Sequence, residues 1–263
     1  MTGTDLHLLF ARIPMLEGLV PSDFTITTLP GYTNRNFRLH NRGHDWVLRV
    51  PRPETNRFID RAAEANNQAL ACGLGIAPRP AWLDSSGLSL TPTLGASRNL
   101  RRSDLLDPAI LQAIVAPVRK LHRSGADFRG RVDLAELLTR YYSMLPLPLQ
   151  AKYRERLQAA RLLIPQLEDR DYEYVPSHND LVLANLLLEA DRVWLIDWEF
   201  SAMASPYWDL ATLCNAGNLD YRQSLQLLHL YCGPDEQMEE SLLFDYRNLL
   251  QLLGDCWMAA LVD

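Results

Sequence analysis

The chain has 263 residues, 48% hydrophobic and 22% charged, with a formal net charge of −6. That length buries a core of ordinary size in one bilobal unit or two small domains. The mild acidity, with one small arginine cluster at Arg98, Arg101 and Arg102, argues against nucleic acid as a partner. No apolar run approaches the roughly 20 residues of a membrane span. Met1 to Val20 carries Asp5, His7, Arg12 and Glu17 where a signal peptide is apolar, so the expected setting is cytoplasmic, without membrane insertion. The cysteines, Cys72, Cys214, Cys232 and Cys256, are widely separated and read as reduced core residues.

The first elements read as strands. Phe24 to Leu29, Asn36 to His40 and Asp45 to Val50 have the β-branched, aromatic and alternating character of a meander, broken at Pro30-Gly31 and at Asn41-Arg42-Gly43. Asn56 to Cys72 then places Phe58, Ala62, Ala65, Ala69 and Leu70 at helical spacing, with Gly73 as a stop. Extended segments resume from Pro78 to Thr93. Helical patterns follow at Asp104 to Ser124, Asp133 to Tyr142, Leu147 to Leu167, Pro206 to Asn215, Tyr221 to Tyr231 and Met238 to Val262. Together these predict an α+β, bilobal chain: a small antiparallel sheet lobe with one helix over 1–92, a mainly helical lobe over 93–263, and a hinge near Thr91 to Leu94.

The densest chemical information lies between the helical patterns. His178-Asn179-Asp180 is followed five residues after the aspartate by Asn185, then twelve later by Asp197 within Leu195-Ile196-Asp197-Trp198-Glu199. Leu186 to Leu188 and Val193 to Ile196 are apolar runs around a polar turn, which predicts a hairpin that returns Asp197 beside Asn185. Two oxygen ligands at one hairpin end suit magnesium, and an aspartate in the preceding loop suits orientation and deprotonation of a substrate hydroxyl. Singly, each residue is also explained as turn chemistry; four at this spacing are not.

Upstream, Gly31 marks either an ordinary turn or a phosphate loop. The series Thr33, Asn34 and Asn36 between two strands favours a loop whose backbone N–H groups and short polar side chains wrap phosphate oxygens. Glu199, Trp198 and Phe200, with Tyr207, Trp208 and Trp257, offer a carboxylate and aromatic faces to a cationic acceptor, although aromatics at helical spacing equally form a core.

Ser177 to Val182 with Asn185, Leu195 to Phe200, Trp208 to Ala211, Gly31 to Phe37 and Val47 to Pro51 together resemble the aminoglycoside phosphotransferase and choline kinase superfamily, and within it the bacterial choline kinases. The resemblance implies a protein-kinase-like fold, with residues 1–92 binding the nucleotide and 93–263 carrying catalysis and the acceptor. It implies ATP and Mg2+ as cofactors and a small-molecule alcohol, choline or a related amino alcohol, as substrate. Asp180 is then the catalytic residue, His178 and Asn185 complete its loop, and Asn185 and Asp197 hold the metal. Arg49, on the third strand where kinases place a lysine, grips phosphates with Glu64 as its partner; the plain alternatives are a strand-edge charge and a solvated helix face. Asp209 buttresses the catalytic loop, and Trp257 on the last helix closes the acceptor pocket. The helix after Asp209 lacks the tryptophan of eukaryotic choline kinases, so thiamine, aminoglycoside or amino-sugar acceptors stay open, as does a catalytically silent binding protein of the same fold. The intact set Asp180, Asn185 and Asp197 speaks against silence.

Overall fold

The computed structural model describes residues 3–55, 58–170, 173–234 and 237–261. The expected helix start at Asn56 and helix end at Val262 lie outside these residues. In the small lobe a helix α1 (Gly3–Arg12) precedes a five-stranded antiparallel sheet. Its strands are β1 (Thr25–Leu29), β2 (Asn34–His40), β3 (Asp45–Pro51), β4 (Trp82–Leu83) and β5 (Ser89–Pro92), in the order β1-β2-β3-β5-β4. Helix α2 (Arg61–Gly73) interrupts the sheet after β3, capped by Asp60, whose side chain accepts from the amides of Ala62 and Ala63. The meander and the single interrupting helix match the expected plan. The signals for α1 were not read as a helix.

Strand alternation decides which residues face the cleft. Trp46 and Leu48 point to one face of β3, where with Phe10, Ile13, Phe24, Phe37, Leu39 and Leu90 they form a small core under α1. Arg49 therefore points to the other face, toward α2. Strand β2 begins at Asn34 rather than Asn36, which shortens the β1–β2 turn to residues 30–33.

The large lobe contains α3 (Pro108–His122), α4 (Leu134–Ser143), α5 (Leu147–Arg170), α6 (Pro206–Gly217), α7 (Tyr221–Cys232) and α8 (Glu240–Leu261). The expected helix from Asp104 is split: a 3-10 turn covers Arg102–Leu106, and α3 starts afresh at Pro108 with Asp107 as its cap. Five short strands are set among these helices. β6 (Arg98–Asn99) pairs with β8 (Leu186–Glu189), β8 with β9 (Arg192–Leu195), and β7 (Val175–Ser177) with β10 (Ala202–Ala204). The large core extends past the cleft: Ala71 at the end of α2, with Ile76 and Ala77, packs into it, and the Ile76 carbonyl accepts from Leu195 N at 2.9 Å. Among the described residues no helix is long and apolar enough to cross a membrane.

Candidate functional site

The chain leaves β7 directly into His178-Asn179-Asp180, and this loop is fastened from below. Asp209, fully buried in the first turn of α6, accepts from His178 N and from Asn179 N, each at 2.8 Å. The same carboxylate meets His122 Nε2 at 3.0 Å, and His122 Nδ1 meets the Tyr231 hydroxyl at 2.9 Å. Burial alone would push the Asp209 carboxyl up, but hydrogen bonding and charge from His122, with His178, hold it below the usual carboxylate range. The expected buttress is therefore present, and His122 on α3 is an additional member of it.

His178 does not face the cleft. Its Nε2 donates to the Ile196 carbonyl at 2.9 Å, which leaves Nδ1 to accept from Asp180 N at 3.3 Å. Both ring nitrogens are thus used inside the protein, and burial lowers the imidazole pKa, so the ring stays neutral. Its place in the loop is that of an organiser rather than of a group that reaches a reacting atom. Asp180 accepts from Asn185 Nδ2 at 2.8 Å through Oδ2, and the same amide donates to the Asp180 carbonyl at 2.9 Å. With its amide nitrogen so committed, Asn185 has only its side-chain carbonyl oxygen to offer to a cation. Burial, then the negative charges of Asp197 and Glu199, push the Asp180 carboxyl up to about 7.

The predicted hairpin exists, with register Leu186 to Leu195 and a turn at Ala190. Ile196 N donates to the Asn185 carbonyl at 3.0 Å, which carries the ladder to the point where Asn185 and Asp197 adjoin. Asn179 and Asp197 both have left-handed backbones, φ 64° and φ 66°. Asn and Asp tolerate this conformation better than other side-chain-bearing residues, and such positions cluster at active sites. Asp197 Oδ1 is buried without a hydrogen-bond partner among the described residues. Ligand oxygens of Glu64, Asp197 and Glu199 lie within 4.8 Å of one another. A buried carboxylate oxygen that accepts no hydrogen bond, with Arg49 Nη2 at 3.3 Å as its neighbouring cation, lies among converging acids, a donor set that fits a divalent cation held by oxygen ligands.

Arg49 and Glu64 form an ion pair, as expected from the third strand and the following helix. Arg49 also approaches Asp197 at 3.3 Å and Glu199 at 3.0 Å. Burial would lower the guanidinium pKa, yet Asp197, Glu64 and Glu199 hold it above its usual value, so the cation is permanent. A second guanidinium, Arg61, reaches Glu64 at 2.8 Å and Glu199 at 3.5 Å. Its pairing with Glu64, one helical turn on, is local, whereas its reach to Glu199, 138 residues away, is not encoded in any local pattern.

Glu199 lines the cavity beside Asp180, and it also has partners the sequence did not indicate. It is 6% exposed, and it accepts from Thr33 Oγ1 at 2.5 Å, Asn34 Nδ2 at 2.9 Å and Arg49 at 3.0 Å. These partners, and Arg61, all belong to the small lobe, so Glu199 ties the segment after the hairpin to the β1–β2 turn as well as lining the cavity. Thr33 and Asn34 correspondingly present their side chains to Glu199, and Asn36 Nδ2 donates to the Pro30 carbonyl at 3.1 Å to close the turn. A phosphate contact from Thr33, Asn34 or Asn36 would then come from the main chain. Gly31 is required by close approach: a Cβ there would sit 2.5 Å from the Asn34 carbonyl oxygen.

On the other side of Asp180 lies a cavity of about 520 Å3 between α4, α6 and α8. Trp257 stands in its wall with Tyr141 at 5.2 Å, Phe58 at 5.6 Å and Phe200 at 6.1 Å between ring centroids. Burial, opposed by Arg140 and reinforced by the charge of Asp180, pushes the Tyr141 hydroxyl up to about 12, so it stays protonated. Trp198 is absent from this wall. It is 1% exposed, packs on His178 and Phe128, and donates to the Leu195 carbonyl at 3.2 Å, which makes it part of the core under the loop.

The family profile described as the phosphotransferase enzyme family matches residues 25–244. Protein LicA of Haemophilus influenzae is 33% identical over 214 residues, which cover 80% of this chain and 80% of that protein. A second LicA from the same species is 32% identical over 220 residues, 82% of this chain but 65% of its own length. Among solved structures, a choline/ethanolamine kinase family protein from Mesorhizobium loti has a TM-score of 0.81 at 28% identity, covering 97% of this chain and 85% of the other. The choline kinase LicA from Streptococcus pneumoniae has a TM-score of 0.82 at 23% identity, covering 90% and 84%, and so shares the bilobal, kinase-like fold. A profile that spans most of the sequence, and a common fold from the first strand to the last helix, make this chain a member of the phosphotransferase enzyme family.

Proposed function

We propose that the chain is an ATP- and Mg2+-dependent kinase that transfers the γ-phosphoryl group to the hydroxyl of choline or a related amino alcohol. The observation that carries this reading is the placement of Asp180 at the junction of two differently built spaces. One holds the Arg49 and Arg61 guanidiniums and the acids Glu64, Asp197 and Glu199; the other is the aromatic cavity around Trp257. The description of the Mesorhizobium loti structure as a choline/ethanolamine kinase family protein supports the choice of acceptor.

In this reading residues 1–92 serve the nucleotide and 93–263 serve catalysis and the acceptor. Arg49 grips phosphate oxygens with a fork that cannot lose its proton, and Glu64 keeps it aimed. Asn185 and Asp197 would hold the magnesium ion, which when bound neutralises charge on the phosphates. Asp180 orients the acceptor hydroxyl and takes its proton; a carboxyl whose pKa lies near neutrality is suited to that task. The ring faces of Trp257, Tyr141 and Phe200 attract a quaternary or protonated amine through the quadrupole of each ring, and the cavity wall excludes water from the transfer.

The test is ADP release from purified protein with ATP and Mg2+ against choline, ethanolamine, thiamine, an aminoglycoside and an amino sugar. Choline or ethanolamine should give the highest kcat/KM. A higher value for thiamine or a sugar reassigns the acceptor, and no release with any of them leaves a binding protein of kinase fold.

A further inference from the structure

Asn67 lies on α2 one turn after Glu64 and has no exposed surface. Its side chain reaches out of the small lobe. Nδ2 donates to the main-chain carbonyls of Arg129 at 3.0 Å and Ser201 at 2.9 Å, while Oδ1 accepts from Arg129 N at 2.8 Å. One amide thereby uses both donors and its acceptor on two separate backbone segments. Both segments are walls of the cavity beside Asp180, which Arg129, Gly130, Arg131, Phe200, Ser201 and Ala202 line; Asn67 itself does not.

The two walls are also joined to each other. Met203 N donates to the Gly130 carbonyl at 3.0 Å, and Val132 N donates to the Met203 carbonyl at 3.0 Å. Displacing one therefore displaces the other. On α2, residues three apart share a face, so one helix carries the partner of Arg49 on one turn and the fastening of the cavity walls on the next. The path from Arg49 through Glu64 and Asn67 to the segments 129–131 and 200–202 is a continuous chain of ion pair, helix and hydrogen bonds.

We infer that Asn67 is a positioning residue that couples the nucleotide site to the acceptor site. The inference rests on the reading above, in which Arg49 binds phosphate and the cavity binds the acceptor. A nucleotide that engages Arg49 fixes Glu64, α2 and, through Asn67, the cavity walls, so the acceptor binds a preordered site. By linkage the acceptor strengthens nucleotide binding by the same factor.

Two measurements test this. In hydrogen exchange followed by mass spectrometry, Mg2+ with a non-hydrolysable ATP analogue should slow exchange in wild-type residues 128–132, which touch none of the phosphate-binding groups. In Asn67→Ala the slowing should be confined to the small lobe. In calorimetry, saturating analogue should tighten choline binding by about fivefold or more in wild type, the lower end of ordinary coupling, and leave it nearly unchanged in the variant. Asn67→Asp keeps an acceptor for Arg129 N but lacks both donors, and should behave like Asn67→Ala, which covers the case in which the alanine variant does not fold. Wild-type coupling retained in a folded variant, or no transmitted protection in wild type, overturns the inference. If protection is transmitted but choline neither binds nor reacts, the coupling stands and the choice of acceptor falls.

Discussion

Asp209→Asn probes the seat of the catalytic loop with minimal change in volume. The wild-type carboxylate serves three donors: Asn179 N at Oδ1, and His178 N with His122 Nε2 at Oδ2. The best an amide can do is place its oxygen at the Oδ2 position, keeping two bonds without their charge and setting its NH2 against the Asn179 amide. An orphaned buried donor costs about 1–3 kcal/mol, and reducing two charge-assisted bonds to neutral ones removes roughly 1 kcal/mol each. The sum, about 3–5 kcal/mol, corresponds to roughly 6–20 °C in melting temperature at about 2–4 °C per kcal/mol for chains near this size. Turnover should fall further than stability implies, because Asn179 and Asp180 share the loop that loses its anchor, while nucleotide affinity changes little. Urea unfolding with steady-state kinetics reads both. The effect has a pH signature: the Asp209 carboxyl is held below its ordinary value, so its contribution is fully present above about pH 4 and is lost as pH falls through the lower folded value. The stability difference between wild type and variant should be flat from pH 8 to 5 and narrow only below about pH 4. A variant within about 0.5 kcal/mol of wild type, the range of ordinary surface substitutions, would refute the buttress.

Four further outcomes are expected. Asp180→Asn should fold and bind nucleotide but lose about 10²–10⁴ in kcat, the usual share of a positioned general base; a wild-type rate removes Asp180 from the mechanism. Asp197→Ala should weaken nucleotide binding in the presence of Mg2+ but not in its absence, as calorimetry with and without the ion will show. Glu199→Gln should raise KM for ATP more than KM for the acceptor, since the side chain's partners lie in the small lobe; the reverse pattern returns Glu199 to the acceptor site. Gly31→Ala should shift the β1–β2 turn and raise KM for ATP about tenfold, equivalent to roughly 1.4 kcal/mol, with circular dichroism unchanged.

What the sequence disclosed followed the range of the interactions. The hairpin of Leu186–Glu189 and Arg192–Leu195 was legible because its strands and turn are contiguous, and with it the juxtaposition of Asn185 and Asp197. Arg49 and Glu64 were reachable because strand and helix follow one another. His122 was not, since its partner Asp209 is 87 residues away and no local pattern encodes such a pairing; for Arg61 the i,i+3 pair with Glu64 is local, but the contact with Glu199, 138 residues away, is not. Trp198 was misplaced because composition cannot tell an aromatic turned to a ligand from one turned to a core. Glu199 was legible only in part: it lines the cavity beside Asp180, but its donors Thr33, Asn34 and Arg49 lie too far back along the chain for a local pattern to pair them with it. Helix α1 escaped notice because its charged residues were weighed only against export.

The seating of Ala71, Ile76 and Ala77 in the large core bears on how the chain acquires its structure. A fragment ending at Pro92 would contain the whole five-stranded sheet, yet it would expose these three residues and leave the Ile76 carbonyl without Leu195 N. The small lobe is therefore not an autonomous folding unit, and during synthesis its last helix waits for a hairpin made about 120 residues later. Because residues of the small-lobe segment are seated in the large core, loss of that core removes support from the small lobe, and thermal unfolding is expected to follow a single transition. The cleft between the lobes is thus a groove in one folding unit rather than a seam between two.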